Sequence, residues 1–181
     1  MPKINIIKIL LDFFEMVFIG TAVFFLIYIF VGQLLIVTGD SMFPAFKDGE
    51  QILAEKVSVK VENPKPGQVV VFKHPLNQNR LLIKRVVAVE DDIILISNGK
   101  ILVNGKTLDE PYLGADIITK GGRYIIDGVS FKVPKNSYVL IGDNREESSD
   151  SRDFGPVSKD LIIGKALLVY YPLTHFRVVL R

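Results

Sequence analysis

A serine in a turn-forming segment is the first candidate for chemistry. The sequence TGDSMFPAF, residues 38–46, places Ser41 between an aspartate and a methionine, with Gly39 and Pro44 on either side. A serine hydroxyl becomes an effective nucleophile only when a neighbouring base takes its proton. Ser41 is therefore either a nucleophile that needs a base from elsewhere in the chain, or an ordinary polar residue of a turn.

The first candidates for such a base are the two histidines of the chain. His74 stands directly before a proline, and His175 lies near the C-terminus. Neither has an acidic residue nearby in an obvious orienting pattern, although the partners of a catalytic triad need not be close in sequence. A surface or structural role is the favoured interpretation for both histidines.

Lys84 is the other candidate base, and it lies in an apolar segment, LLIKRVVAV. In a strand, Lys84 would share one face with apolar side chains only, those of Leu82, Val86 and Ala88. Burial on such a face can lower the pKa of a lysine from about 10.4 to about 8. The neighbouring Arg85 cannot act as a base, because a guanidinium keeps its proton. On the strand pattern alone, a lysine whose amine reaches water remains the favoured interpretation.

A third segment, residues 142–157 (GDNREESSDSRDFGPV), is rich in hydroxyls and carboxylates. Alone, it is typical of a solvated turn in which Asp143 and Asn144 make local hydrogen bonds. Asp150 and Arg152 are close enough to form an ion pair. The spacing of a calcium loop fails because its sixth position is not glycine, so we predict no metal site. The chain has no cysteine, which excludes disulfides, thiolate metal sites and a cysteine nucleophile.

A long apolar segment precedes these residues. From Met16 to Val37 the only strongly polar side chain is Gln33, and about 20 apolar residues suffice to span a bilayer as a helix. The segment is longer than the apolar core of a cleaved signal peptide, and no A-x-A sequence follows it. We therefore predict an uncleaved transmembrane anchor over residues 13–36, with a buried central helix as the alternative.

The flanking charges predict the orientation of this anchor. Lys3 and Lys8 precede it, so the positive-inside rule places residues 1–12 in the cytoplasm and residues 37–181 outside the plasma membrane. An extended chain advances at most about 3.5 Å per residue, so Ser41 must lie near the membrane surface. The formal charge of +2 is too small to indicate a nucleic-acid partner.

The sequence after residue 38 is typical of a mainly β domain. Short segments rich in Val, Ile, Leu and Tyr alternate with turn residues, and each has the length of a strand. Asn98-Gly99 and Asn104-Gly105 are strong hairpin signals, whereas no segment keeps a helical period. We expect a fold of one N-terminal transmembrane helix followed by a folded antiparallel β-sheet or barrel-like catalytic domain.

Together these segments resemble the type I signal peptidases (leader peptidases), which are membrane-anchored serine–lysine endopeptidases. GDSMFP matches the first box of that family, and DGEQILAEK resembles the second. LLIKRVVAV carries the lysine–arginine box, and GDNREESSDSRDFG carries the fourth. All four boxes occur in the order of the family, behind an apolar segment in the family position. The resemblance covers essentially residues 10–172.

The resemblance implies a role for each matching residue of the dyad and its support. Ser41 would be the nucleophile and Lys84 the general base. Ser148 would hydrogen-bond the lysine amine and orient it, while Asp150 and Arg152 would form the supporting pair beneath the site.

The resemblance also implies the oxyanion and substrate contacts. The backbone N–H of Ser41 would be one oxyanion donor. Some family members carry a second donor, a hydroxyl, at the position of Gly39, so here a backbone N–H or a water would take that role. The residues expected to flank small-residue pockets are Val37, Met42, Leu82 and Ile83.

The implied reaction is removal of N-terminal signal peptides from exported precursors at the outer face of the membrane, without a cofactor or metal. The expected partners are signal-peptide-bearing precursors and the lipid bilayer. Two alternatives stay open, namely a dedicated maturation peptidase of the same fold and a non-enzymatic, membrane-anchored β domain that binds peptides.

Overall fold

The chain begins with one long helix, α1 (Ile6–Phe30). The computed structural model describes residues 6–30, 32–114 and 116–179, so Lys3, on which the orientation prediction depends, lies outside the described residues. The stretch Ile6–Leu26 is long and apolar enough to cross a membrane, and none of it is buried. A core helix buries at least one face against the rest of the protein, whereas the side chains of Ile6–Leu26 are exposed on every side. The alternative of a buried central helix is therefore wrong.

The helix differs from the predicted anchor of residues 13–36 at both ends. It includes residues from Ile6 onward, and it ends at Phe30. The next described segment, Gly32–Ile36, is a strand that pairs with residues 51–55. An apolar run alone does not distinguish a helix from a buried strand, and the pairing partner of this segment decides the difference.

Beyond α1 the structure is mainly β, which confirms the predicted fold class. Two short helices interrupt the strands, α2 (Ser58–Val61) and α3 (Ser151–Phe154). The strands are β1 (Gly32–Ile36), β2 (Gln51–Glu55), β3 (Val69–His74), β4 (Asn77–Ala88), β5 (Ile93–Ser97), β6 (Lys100–Val103), β7 (Lys106–Thr107), β8 (Phe131–Lys132), β9 (Ser137–Ile141), β10 (Val157–Ser158), β11 (Ile162–Tyr171) and β12 (Arg177–Val178). Short 3₁₀ turns lie at Lys159–Leu161 and Leu173–His175.

These strands form two antiparallel sheets. The larger has the order β1-β2-β11-β3-β4-β9-β10, with β12 beside β11, and the smaller has the order β7-β6-β5-β8. Asn98-Gly99 joins β5 to β6 and Asn104-Gly105 joins β6 to β7, and all four residues have positive φ. Both predicted hairpins are therefore confirmed, with the backbone that a two-residue turn requires.

Strand β4 positions the candidate site because its two halves have different neighbours. The segment from Asn77 to Arg85 pairs with β3, and the segment from Arg85 to Ala88 pairs with β9. On the side away from β3, residues 77–83 have no partner strand among the described residues. The first half of β4 therefore offers a free backbone edge, which ends immediately before Lys84.

Candidate active site

Ser41 lies in the loop that joins β1 to β2, and several hydrogen bonds hold this loop. Val37 N–H donates to the carbonyl of Glu50 over 2.8 Å, which closes the base of the loop. The buried Glu50 carboxylate accepts two hydrogen bonds from Arg177 near the C-terminus, over 2.8 and 2.6 Å. Asn144 N–H donates to the carbonyl of Ser41 over 3.2 Å. The candidate nucleophile is thus fixed from three separate parts of the chain.

Lys84 reaches Ser41 from the centre of the larger sheet. It lies on β4 opposite Val70 of β3, and its Nζ is 2.5 Å from Ser41 Oγ. The side chain is only 2% exposed. Burial is the main cause that lowers the pKa of Lys84 to about 8, against an opposing effect of the Asp150 charge. A neutral amine beside a hydroxyl is therefore accessible near neutral pH, as a general base requires.

Asp150 organises the support beneath this pair. Arg152 donates to both of its carboxylate oxygens over 2.8 Å, and Gly142 N–H donates to Oδ2 over 3.0 Å. Burial opposes ionisation of Asp150, yet the hydrogen bond and charge of Arg152 outweigh it, so the pKa of Asp150 is lowered. The predicted pair of Asp150 and Arg152 is present in the structure as a fully buried unit.

Ser148 differs from its expected contact. Its hydroxyl donates to Asp150 Oδ2 over 2.7 Å, and no hydrogen bond joins it to Lys84 in the part of the chain that the structure describes. The hydroxyl has a single proton, and it donates that proton to the ionised carboxylate, which is a stronger acceptor than a neutral group. Ser148 therefore belongs to the Asp150 network in this arrangement, and its contact with the lysine is not formed.

Of the two backbone N–H groups at the predicted oxyanion positions, that of Ser41 is free among the described residues and that of Gly39 has a hydrogen-bond acceptor. Gly39 has a φ of +82°, and its N–H donates to Asp48 Oδ1 over 2.7 Å. The Gly39 N–H therefore already has an acceptor in this arrangement, and the assignment of a second oxyanion donor at Gly39 stays a prediction. The N–H of Ser41 has no acceptor among the described residues.

A groove of about 610 Å³ runs beside Ser41 and Lys84. Three of the four predicted pocket residues, Val37, Leu82 and Ile83, line it. The fourth, Met42, is not part of this lining, because its side chain is completely buried in the core beneath the loop, and its role in a pocket stays a prediction. The other apolar side chains of the lining are Leu35, Ile36, Ile52, Val71 and Leu81.

Comparison with known proteins assigns this chain to a family. The family described as signal peptidase, peptidase S26, matches residues 10–171. The chain belongs to the S26 signal peptidase family. It is therefore a protease.

Two sequence relatives of this S26 peptidase agree with the family match, and one solved structure is reported beside them. The signal peptidase IB of Staphylococcus aureus strain COL is 37% identical over 174 residues, which cover 88% of this chain and 90% of that protein. A probable signal peptidase I-2 of Synechocystis is 32% identical over 149 residues, 80% of this chain and 65% of that protein. A crystal structure of an Enterococcus faecalis signal peptidase I has a TM-score of 0.49 and 22% identity, covering 57% of this chain and 97% of that one.

Sequence reasoning missed two features of the site. Asp143, expected to make a local turn contact, instead forms a buried ion pair with Arg85 over 2.8 and 2.6 Å. At Gly142, an added Cβ would lie 2.5 Å from the carbonyl of Ser41, so only glycine lets the two loops approach this closely. The pairing of β4 with β9, which brings Arg85 and Asp143 together, is the information that a single sequence lacks.

Proposed function

We propose that this chain is a type I signal peptidase whose chemistry is carried by Ser41 and Lys84. The observation that supports this most directly is the 2.5 Å separation of Lys84 Nζ from Ser41 Oγ, with the lysine buried. A nucleophile within hydrogen-bond reach of a base of lowered pKa is the arrangement that acyl transfer needs. Membership of a peptidase family supplies the reaction class.

In the proposed mechanism, neutral Lys84 takes the proton of Ser41 as the hydroxyl oxygen attacks the scissile carbonyl. The Ser41 N–H stabilises the oxyanion, and the second donor is another backbone N–H or a water. The protonated lysine then gives its proton to the leaving amine, and an acyl-enzyme remains. Lys84 next activates a water that attacks the ester, which releases the signal peptide and restores Ser41.

The groove supports an extended peptide as the substrate. The free edge of β4 at residues 77–83 offers unpaired backbone groups to an added strand. The residues Val37, Leu82 and Ile83 line the groove next to the dyad and leave room for small side chains. By resemblance to the family, alanine at the first and third positions before the cut would fit these pockets.

The anchor gives the reaction its location. We propose that α1 spans the plasma membrane with residues 1–12 in the cytoplasm and residues 37–181 outside. Strand β1 begins at Gly32, directly after the helix, so the groove lies close to the membrane. The apolar segment of a precursor, held in the same bilayer, would then present its cleavage site at the depth of Ser41.

The decisive experiment is processing of a purified precursor by the full chain in nonionic detergent, with the cleavage site read by mass spectrometry. Wild type and the remote control Ser130→Ala should cleave once, after the signal peptide, and Ser41→Ala should not. Cleavage of a single dedicated precursor alone would favour a maturation peptidase. Binding of precursors without cleavage would leave a non-enzymatic β domain.

The orientation has its own test, because the chain has no cysteine. A single cysteine introduced by Ser130→Cys, at an exposed position, should react with a membrane-impermeant maleimide added to intact cells. Labelling only after the cells are lysed would place the β domain in the cytoplasm and refute the proposed topology.

A further inference from the structure

Arg80 is a cation in the wall of the groove that has no ion-pair partner among the described residues. It lies on the free edge of β4, its side chain is exposed, and it lines the groove together with His74. It makes no ion pair within residues 6–30, 32–114 and 116–179. Its charge influences Lys84: burial is the main cause that lowers the pKa of Lys84, and the charge of Arg80 lowers it further.

Strand directions fix which part of a bound precursor meets Arg80. Four antiparallel pairings connect β1 to β4 through β2, β11 and β3, so β1 and β4 run parallel to each other. Since β1 starts at the end of α1, both strands run away from the membrane toward Ser41 and Lys84. On the proposed topology a precursor runs the same way, and its residues before the cut lie beside the earlier part of β4.

The distance from Lys84 to Arg80 along β4 then defines which residue of the precursor Arg80 contacts. Arg80 precedes Lys84 by four residues, which is about 13 Å at roughly 3.3 Å per residue. An extended precursor has a similar rise, so the guanidinium lies beside the residues about four to five positions before the scissile bond. The acidic residues of the lining, Asp40 and Glu147, belong to the loops of Ser41 and Ser148. Positive charge thus lies upstream of the cut.

We propose that Arg80 is a specificity-determining residue that favours precursors with an acidic side chain about four to five positions before the scissile bond and disfavours basic ones. The inference rests on the proposed function. It concerns the choice among precursors, whereas the chemistry itself needs only Ser41 and Lys84. A carboxylate at that position would form a charge-assisted hydrogen bond with a guanidinium that is otherwise in water.

The test compares matched precursors that differ only in one residue, Glu, Gln or Lys, placed four or five positions before the cut. With the wild-type full chain in nonionic detergent, kcat/KM should be about threefold to fivefold higher for Glu than for Lys, the range of exposed ion pairs. Arg80→Gln should remove the preference and Arg80→Glu should reverse it. The control Lys73→Glu, an exposed cation of β3 outside the groove, should keep the wild-type order.

The outcomes separate this inference from the function on which it rests. If wild type fails to cleave even the Gln precursor, the proposed function is refuted. If it cleaves Glu, Gln and Lys precursors equally well, or if Arg80→Glu keeps the wild-type preference, only the role of Arg80 is refuted. A preference that emerges only when anionic phosphatidylglycerol vesicles are added would assign Arg80 to lipid headgroups instead, and would overturn the inference as well.

Discussion

Lys84 and Arg85 are consecutive cations on β4, and they differ in what surrounds them. Both are buried, at 2% and 4% exposure. Arg85 donates to both oxygens of Asp143, over 2.8 and 2.6 Å, and to the carbonyl of Gly67 over 2.7 Å. Lys84 has a hydroxyl, that of Ser41, as its hydrogen-bond partner, and no carboxylate within ion-pair distance among the described residues.

The difference shows how one strand produces a reactive cation beside a structural one. Successive side chains of a strand point to opposite faces, so neighbours can have opposite surroundings. A buried charge with a bidentate counter-ion stays charged and holds elements together. A buried amine without one is easier to deprotonate, because desolvation disfavours its charged form. Burial is common to both residues, and the counter-ion decides their chemistry.

Removal of either member of the dyad should have the largest effect on activity. Ser41→Ala and Lys84→Met should each lower kcat for precursor cleavage by about 10³-fold or more, since nucleophile and base act as a unit. Lys132→Met, at an exposed lysine of β8, is the control and should retain wild-type cleavage. Substantial cleavage by Lys84→Met would show that another group serves as the base.

Removal of Arg85 should harm stability instead. Arg85→Met leaves the Asp143 carboxylate buried without a counter-ion, and should lower the free energy of unfolding by about 3–5 kcal/mol. Chemical denaturation in detergent, followed by circular dichroism of the β domain, measures this. The double variant Arg85→Met/Asp143→Leu should regain most of the loss. A single variant as stable as wild type would mean that the pair does not hold β4 to the loop after β9.

The close approach at Gly142 should be the next most sensitive feature. A Cβ there would lie 2.5 Å from the carbonyl of Ser41 and 2.6 Å from Ser148 Cβ, so Gly142→Ala must displace one or both of these loops, and we expect the shift to reach the contact of Ser41 with Lys84. A misplacement of about 1 Å costs about 10²-fold in rate, and kcat should fall by that order. Gly114→Ala meets only an ordinary contact of 3.7 Å with Ile117 and is the matched control. Equal activity of the two variants would contradict this packing.

The sequence predicted the fold class better than it predicted the contacts around Ser41 and Lys84. Strand patterns and the Asn98-Gly99 and Asn104-Gly105 pairs indicated a mainly β domain, because period and turn chemistry are local properties. The contact of Lys84 with Ser41 spans 43 residues, and only the resemblance to a family suggested it. Strand composition alone favoured a lysine that reaches water.

The differences between the sequence-based expectations and the structure share one physical cause, which is dependence on partners distant in the chain. The strand at Gly32–Ile36 needs β2 as its partner, and its apolar sequence is equally compatible with a helix. Met42 points into the core because the loop turns around Ser41. The N–H of Gly39 donates a hydrogen bond to Asp48, nine residues later. Each outcome depends on tertiary packing that no local pattern encodes.

Lys84→Met should also stabilise the protein while it abolishes activity, the opposite sign to Arg85→Met. The pKa of Lys84 is lowered from 10.5 to about 8 on folding, so the folded state resists protonation. The resulting loss of stability is complete below pH 8 and disappears as the pH rises toward 10.5. Near pH 7 the methionine variant should therefore gain about 3 kcal/mol. A variant less stable than wild type at that pH would show that the charged amine is stabilised by its surroundings.

The pH dependence of cleavage gives the smallest effect and tests the comparison most directly. If neutral Lys84 is the base, kcat/KM should rise along a limb with an apparent pKa near 8, which is about a tenfold gain from pH 7 to pH 9. The ion pair of Arg85 with Asp143 takes no part in the proposed proton transfer, so Arg85→Lys should keep the position of the limb even where it lowers the rate. Asp150→Asn removes a charge that raises the pKa of Lys84, and should move the limb to lower pH. A limb near pH 10 in wild type would mean that Lys84 behaves as an exposed lysine, and the contrast with Arg85 would then have no catalytic meaning.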